Sequence, residues 1–358
     1  MTTDTMTPRQ RVLAAMRRQE PDRVPFGFFC GFTPGALATF RANAGDADPN
    51  DYFGTDGRDV AFGMPSNLPD YSRYYANKNL PPGTSIGPYG AHAPGSIAHF
   101  TRYIAPLSDI TGPEALVDYP LPDFTRPECW QHLAGQTAAW HAKGQPVYGW
   151  VACTLFEWSW QIRGLEPFLE DLLERPEWAA ILIDKWQTLR LFMTRKLTEA
   201  GVDVLFFGDD VGMQTGMMIS PAVWRRVFKP RYAALFAAAR EVRPDVLIWF
   251  HSDGDIRLII PDFIEIGLDI LNPVQPECMD PADLKRRYGD RLSFWGTIGT
   301  QTTFPFGSPD DMRRVVRERV ATVGRGGGLY LSPTHTVEPE VPWANMVAFA
   351  EAAKASRR

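Results

Sequence analysis

An apolar run, IWFHSDGD, ends in His251, Asp253, Gly254 and Asp255. A buried strand would normally turn with less costly residues, so these side chains call for a chemical explanation. His251 and Asp253 are two positions apart. On an extended backbone they face the same side, together with Leu247 and Trp249. A third nitrogen donor stands at His335, in LSPTHTV. If the fold brings these strand ends together, the three form a two-histidine, one-carboxylate set. Such a set suits zinc or a similar divalent metal and leaves a coordination position open for substrate. A second reading is that His251 bonds a neighbouring carbonyl and Asp253 caps the helix that follows.

Other strand ends carry the same kind of chemistry. Asp209 and Asp210 in GDD are adjacent acids that push one another's pKa apart, which suits a general base or a further metal ligand; a plain turn would look the same. Glu157 lies among Trp150, Phe156, Trp158 and Trp160, where an apolar surround raises a carboxylic acid's pKa, unless Arg163 pairs with it. We therefore take Glu157, Asp209, Asp210 and His335 as candidate catalytic residues and His251, Asp253 and His335 as candidate metal ligands. Cys30, Trp150, Arg163, Asn272, Gln275 and Gln301 are the candidates for holding substrate. GRGGG at residues 324–328 lacks the GK[ST] ending of a phosphate loop and reads as the entry to the last strand.

The elements that must position these residues alternate regularly from Pro146 onward. PVYGWVA, VDVLFFGDD, DVLIWFH, DILNPVQ, LSFWGTIG and LYLSPTHT are each followed by a helical pattern. Strand-then-helix runs mean parallel strands with crossovers, and runs such as VLIWF suit strands buried on both faces. Before them, Thr7 and Pro8 start a helix that ends before Pro21, and VPFGFF is a strand. That makes seven strands, with an eighth to be found between residues 31 and 143. The expectation is one (β/α)8 TIM-type barrel over residues 1–358, with an inserted hairpin near TSIGPYG and SIAHFTRYIAPL. No GxGxxG follows the first strand to favour an open doubly wound sheet.

The 358 residues are 44% hydrophobic, enough for a large core, and carry a net charge of −5 without basic clusters. Neither nucleic acid nor an anionic membrane is favoured as a partner. A small-molecule substrate is. Four scattered cysteines without CxxC spacing read as reduced thiols. Without a spanning segment or leader pattern, the expected location is cytoplasmic.

Several segments resemble the uroporphyrinogen decarboxylase superfamily: TPRQRVLAAMRRQEPDRVPF, GDDVGMQTGMMISPAVWRRVFKPRY, HSDGDIRLIIPDFIEIGLDILNPVQP, LKRRYGDRLSFWGTIGTQ and GGGLYLSPTHTVEPEVPWANMVAFAEA. The likeness runs along nearly the whole chain, is specific in the second half and weakens between residues 31 and 143. It implies the (β/α)8 barrel and a homodimer. It also implies one of two chemistries: cofactor-free porphyrinogen decarboxylation, or zinc-dependent methyl transfer with a corrinoid protein. The decarboxylase branch carries MRQAGR after its first strand, whose arginines hold substrate carboxylates; here the segment reads GFFCGFTPGALATF, with no arginine before Arg41. His335 matches the histidine of that branch's GHG motif. The methyltransferase branch carries an HxC zinc motif and a further cysteine near the last strand. Here His251-Ser252-Asp253 stands at the first and His335 at the second, so harder donors replace both thiolates. The expected function is metal-assisted demethylation of a small O-methyl or methylated compound. The alternatives are a decarboxylase of a non-porphyrin acid and a non-catalytic metal or tetrapyrrole binder.

Overall fold

The computed structural model describes residues 4–93 and 102–356. Helix α1 (Pro8–Met16) starts where Thr7 and Gln10 form a reciprocal capping box with Pro8 at the first turn. Seven strands form one sheet: β1 (Arg58–Val60), β2 (Val147–Val151), β3 (Val204–Gly208), β4 (Leu247–His251), β5 (Ile270–Asn272), β6 (Ser293–Ile298) and β7 (Leu329–Pro333). They lie in chain order and every pairing is parallel.

The eighth stave is residues 24–29, the VPFGFF expected as a strand. Phe26 bridges Leu331 of β7, and the Gly27 and Leu331 amides donate to the Leu331 and Pro25 carbonyls. On the other side the Asp56 N–H donates to the Phe26 carbonyl, just before β1. The sheet thereby closes. The strand that sequence could not locate is β1, three residues long and following Gly57.

Along β4 the side chains alternate as expected. Ile248 and Phe250 join the outer core beneath the helices, while Leu247 and Trp249 join a separate cluster inside the barrel. There Trp249 stacks on Trp295 with ring centroids 4.1 Å apart, and Trp295 stacks on Tyr330 at 3.5 Å. These rings fill most of the barrel, leaving a small cavity of about 50 Å³ beside Tyr148, Trp249, Trp295 and Tyr330 and a larger space above them, at the C-terminal strand ends.

Between β1 and β2 lies a small antiparallel sheet, Ser85–Gly87, Gly90–His92 and Tyr103–Ile104. It accounts for the expected hairpin; SIAHFT, residues 96–101, lies outside the described residues. The helical pattern that follows DVLIWFH yields only a short helix, Ile260–Glu265, because Pro261 fits only the first turn. No helix among the described residues is long and apolar enough to cross a membrane.

Candidate functional site

Two loops at the strand ends are pressed together by glycine. At Gly254 φ is +79°, and a Cβ there would fall 2.5 Å from the Gly212 carbonyl carbon; one at Gly212 would fall 2.4 Å from the Asp253 carbonyl oxygen. Only paired glycines allow that approach. The Asp255 N–H then donates to Met213 O at 2.8 Å, and the Asp253 N–H to Asp210 Oδ1 at 2.8 Å. This explains the glycine in HSDGD: it lets the β4 loop lie against the β3 loop.

His251, at the end of β4, is held by Asn272 at the end of β5. The Asn272 amide Nδ2 donates to the Trp295 carbonyl at 3.0 Å, so Oδ1 faces His251 Nδ1 at 2.5 Å. A carbonyl can only accept, so Nδ1 carries the hydrogen and Nε2 is the basic nitrogen of the ring, turned toward Asp210 and Asp253. Nε2 stands 3.4 Å from Asp210 Oδ1 and 3.9 Å from Asp253 Oδ1. His335, in the loop after β7, completes the set: ligand atoms of His251, Asp253 and His335 all lie within 4.8 Å of one another. Asp253 Oδ1 is buried and accepts no hydrogen bond from any described residue. Burial, then Asp210 and Glu277, push its pKa well above the carboxylate range. An unpartnered buried carboxylate oxygen beside two imidazoles is what a divalent ion would satisfy, so the residues fit a metal.

A cavity of about 490 Å³ adjoins the cluster, lined by both histidines, Asp210, Glu157, Cys30, Cys153 and the rings of Phe29, Trp150, Phe206 and Tyr103. No lysine or arginine stands among the described lining residues. Glu157 is in the first turn of α2 (Phe156–Arg163), and its Oε2 accepts the Asp210 N–H at 3.3 Å. Burial, then the charges of Asp210 and Asp209, raise its pKa well above the usual value. Cys30 and Cys153 sit at φ +54° and +47°, and Val274 and Thr297 at +50° and +70°, so strained backbone gathers at the strand ends around the cavity. A larger groove, about 640 Å³, lies on the outer face between α3 (Pro309–Thr322) and α4 (Trp343–Lys354), but its lining holds neither histidine nor cysteine. Donor chemistry, not size, marks the site.

Several sequence candidates fall elsewhere. Asp209 is fully buried and accepts the N–H groups of Leu155, Phe156 and Glu157 at 2.7–2.9 Å, with the Tyr232 hydroxyl also on it. It anchors the α2 N-terminus instead of facing substrate. Arg163 does not pair with Glu157: its Nε donates to Asp171 at 2.7 Å and its Nη1 to the Leu107 and Ser108 carbonyls. Gln275 accepts the Gly254 N–H and so braces the Asp253 turn, and exposed Gln301 pairs with Gln214. Asn272 positions His251. Of the substrate candidates, Cys30 and Trp150 line the cavity. Sequence reasoning missed Phe29, Tyr103, Gln161 and Phe206, the aromatic ones because a ring in an apolar run looks like core.

A sequence model described as uroporphyrinogen decarboxylase matches residues 146–356. Among curated proteins, uroporphyrinogen decarboxylase of Coxiella burnetii is 23% identical over 187 residues, 51% of this chain and 48% of that protein. The chain thus spans about half the length of the curated relatives it matches. Among solved structures, a methyltransferase from Methanosarcina mazei superposes with a TM-score of 0.68 at 16% identity, covering 98% of this chain and 99% of that one. At that identity the likeness speaks for the fold.

Proposed function

The chain belongs to the uroporphyrinogen decarboxylase family, and from that premise we propose that it is a metal-assisted methyltransferase. It removes a methyl group from a small O-methyl or methylated compound and passes it to a corrinoid protein or a related one-carbon acceptor. The observation that carries this reading is the union of the His251–Asp253–His335 cluster with an acidic, aromatic cavity whose described lining offers no lysine or arginine. A substrate rich in carboxylates would meet the Asp210 carboxylate in that cavity, with no lysine or arginine among the described lining residues to hold it. A methyl ether brings no charge to neutralise. The Methanosarcina mazei protein of the same fold is a methyltransferase, which agrees with this reading.

When bound, a divalent ion such as zinc supplies Lewis acidity to the leaving oxygen. The remaining roles belong to side chains. Trp150, Phe206 and Phe29 give the substrate an apolar seat. Glu157, neutral through burial, presents the proton on Oε1, because Oε2 is engaged by the Asp210 amide. That proton goes to the departing oxygen as the methyl leaves. Asn272 holds His251 in the tautomer whose basic nitrogen is Nε2, and Gln275 holds the turn that carries Asp253.

The test offers the purified chain, loaded with zinc, cob(I)alamin and a panel of O-methyl donors. The expected result is conversion to the methylcobalamin spectrum with at least one donor, slowed about 100-fold in Glu157→Gln. Carbon dioxide release from a carboxylic acid without any corrinoid, and no spectral change across the panel, would replace methyl transfer by decarboxylation.

A further inference from the structure

We propose that the His251–Asp253–His335 cluster is a thiolate-free facial site that holds a five- or six-coordinate divalent ion such as Fe(II), with adjacent positions open toward the cavity, and not a four-coordinate zinc. This rests on the metal-binding part of the reading above and goes beyond it in the coordination it assigns.

Five observations carry it. The donor atoms are two imidazole nitrogens and one carboxylate oxygen, all within 4.8 Å of one another. That set, with open positions, is the one non-haem ferrous sites use; zinc takes the same donors as a four-coordinate ion when a single water fills the remaining position, so the surroundings of the donors decide between them. Sulfur was within reach: Cys30 and Cys153 line the same cavity, yet neither joins the cluster. The triangle of donors also adjoins the cavity instead of being enclosed by a fourth ligand, since both His251 and His335 line the open space. Asp210 Oδ1, 3.4 Å from His251 Nε2, is placed to accept a hydrogen bond from a water on the ion or to add an oxygen donor, and either raises the coordination number. His251 and Asn272 form the imidazole–amide pair that orients a ligating histidine, and the Trp295 carbonyl fixes the amide in turn.

The test strips the full chain of metal with a chelator and then titrates it without oxygen with Co(II), Fe(II) and Zn(II). The expected Co(II) spectrum has the weak d–d bands of a five- or six-coordinate ion and no sulfur-to-cobalt charge transfer. It should be the same in Cys30→Ser and Cys153→Ser. The Fe(II) protein should take up nitric oxide and give the electron spin resonance signal of a high-spin iron–nitrosyl adduct. Asn272→Ala should weaken Co(II) binding about 10- to 100-fold, and His251→Ala or His335→Ala should abolish it, with folding checked by circular dichroism. Intense tetrahedral cobalt bands, a sulfur charge-transfer band, or bound iron that takes up no nitric oxide would each overturn the proposal while leaving metal-assisted methyl transfer standing. If none of the three ions binds, both readings fall together.

Discussion

The two ends of the barrel use the same residue types in opposite ways. At the N-terminal end, Asp56 is fully buried and receives Arg11 Nη1 at 2.8 Å, Arg23 Nη1 at 2.7 Å and the Phe26 N–H at 3.1 Å. Asp203 is likewise buried among Arg9, His141 and the Val147 N–H. Each carboxylate is met by cationic and amide donors. At the C-terminal end Glu157, Asp210 and Asp253 crowd one another with no such cation among the described lining residues, and Asp253 Oδ1 accepts no hydrogen bond. Compensated charge holds the first stave and α1 to the barrel. Uncompensated charge makes the other end a place for a cation, and it costs stability to keep it.

The comparison breaks most visibly at Asp56. Asp56→Ala takes away the buried carboxylate that Arg11 and Arg23 share, leaving Arg11 to Asp22 and Arg23 to Asp4, and we expect a loss of about 3 kcal/mol in the free energy of unfolding by urea. A loss below about 1 kcal/mol would mean that the N-terminal network is solvated and the contrast between the two ends unfounded. Asp253→Asn should act the other way. It replaces a buried ionisable acid facing Asp210 by an amide that cannot ionise, so at neutral pH the metal-free protein should gain about 1–3 kcal/mol while metal uptake is lost. Destabilisation of the metal-free form by that amount would place Asp253 with the structural acids. A smaller gain, about 1 kcal/mol, is expected from Cys30→Gly, because Cys30 is exposed and its φ of +54° is strained for any residue with a Cβ. Thermal melts of the metal-free proteins, side by side, would order all three.

The same contrast explains what could be read from sequence. His251, Asp253 and His335 were legible because strand alternation is strict and a barrel gathers its strand ends. Asp209 and Asp210 were not separable: adjacent residues on an extended chain face opposite ways, and only the α2 N-terminus lying behind β3 decides which one is drawn inward. Arg163 was misassigned because six positions along a helix put it on a different face from Glu157. Asn272 read as a substrate contact, since nothing local reveals that its amide is locked by Trp295, 23 residues further on. The closing stave, residues 24–29, was legible as an apolar run. β1 was not, since three residues are too few to show a period.

The subtlest expected effect is a change in how stability depends on pH. Burial, then Asp210 and Asp209, raise the Glu157 pKa in the folded chain above that of the unfolded chain, so the folded state holds this proton when the unfolded state has released it. Between the two values the unfolded state binds fewer protons. Stability therefore falls as pH rises through that window, and the contribution is fully present only below the ordinary glutamate pKa. Glu157→Gln keeps the shape of the neutral acid and cannot ionise. At acid pH the variant and the parent should melt together, and as pH rises the variant should become the more stable by a growing margin until the raised pKa is passed. Parallel curves across the whole range would show that Glu157 is ionised in the folded protein at neutral pH. It could then no longer donate a proton to a leaving oxygen, and the acid role in methyl transfer would have to move to another group in the cavity.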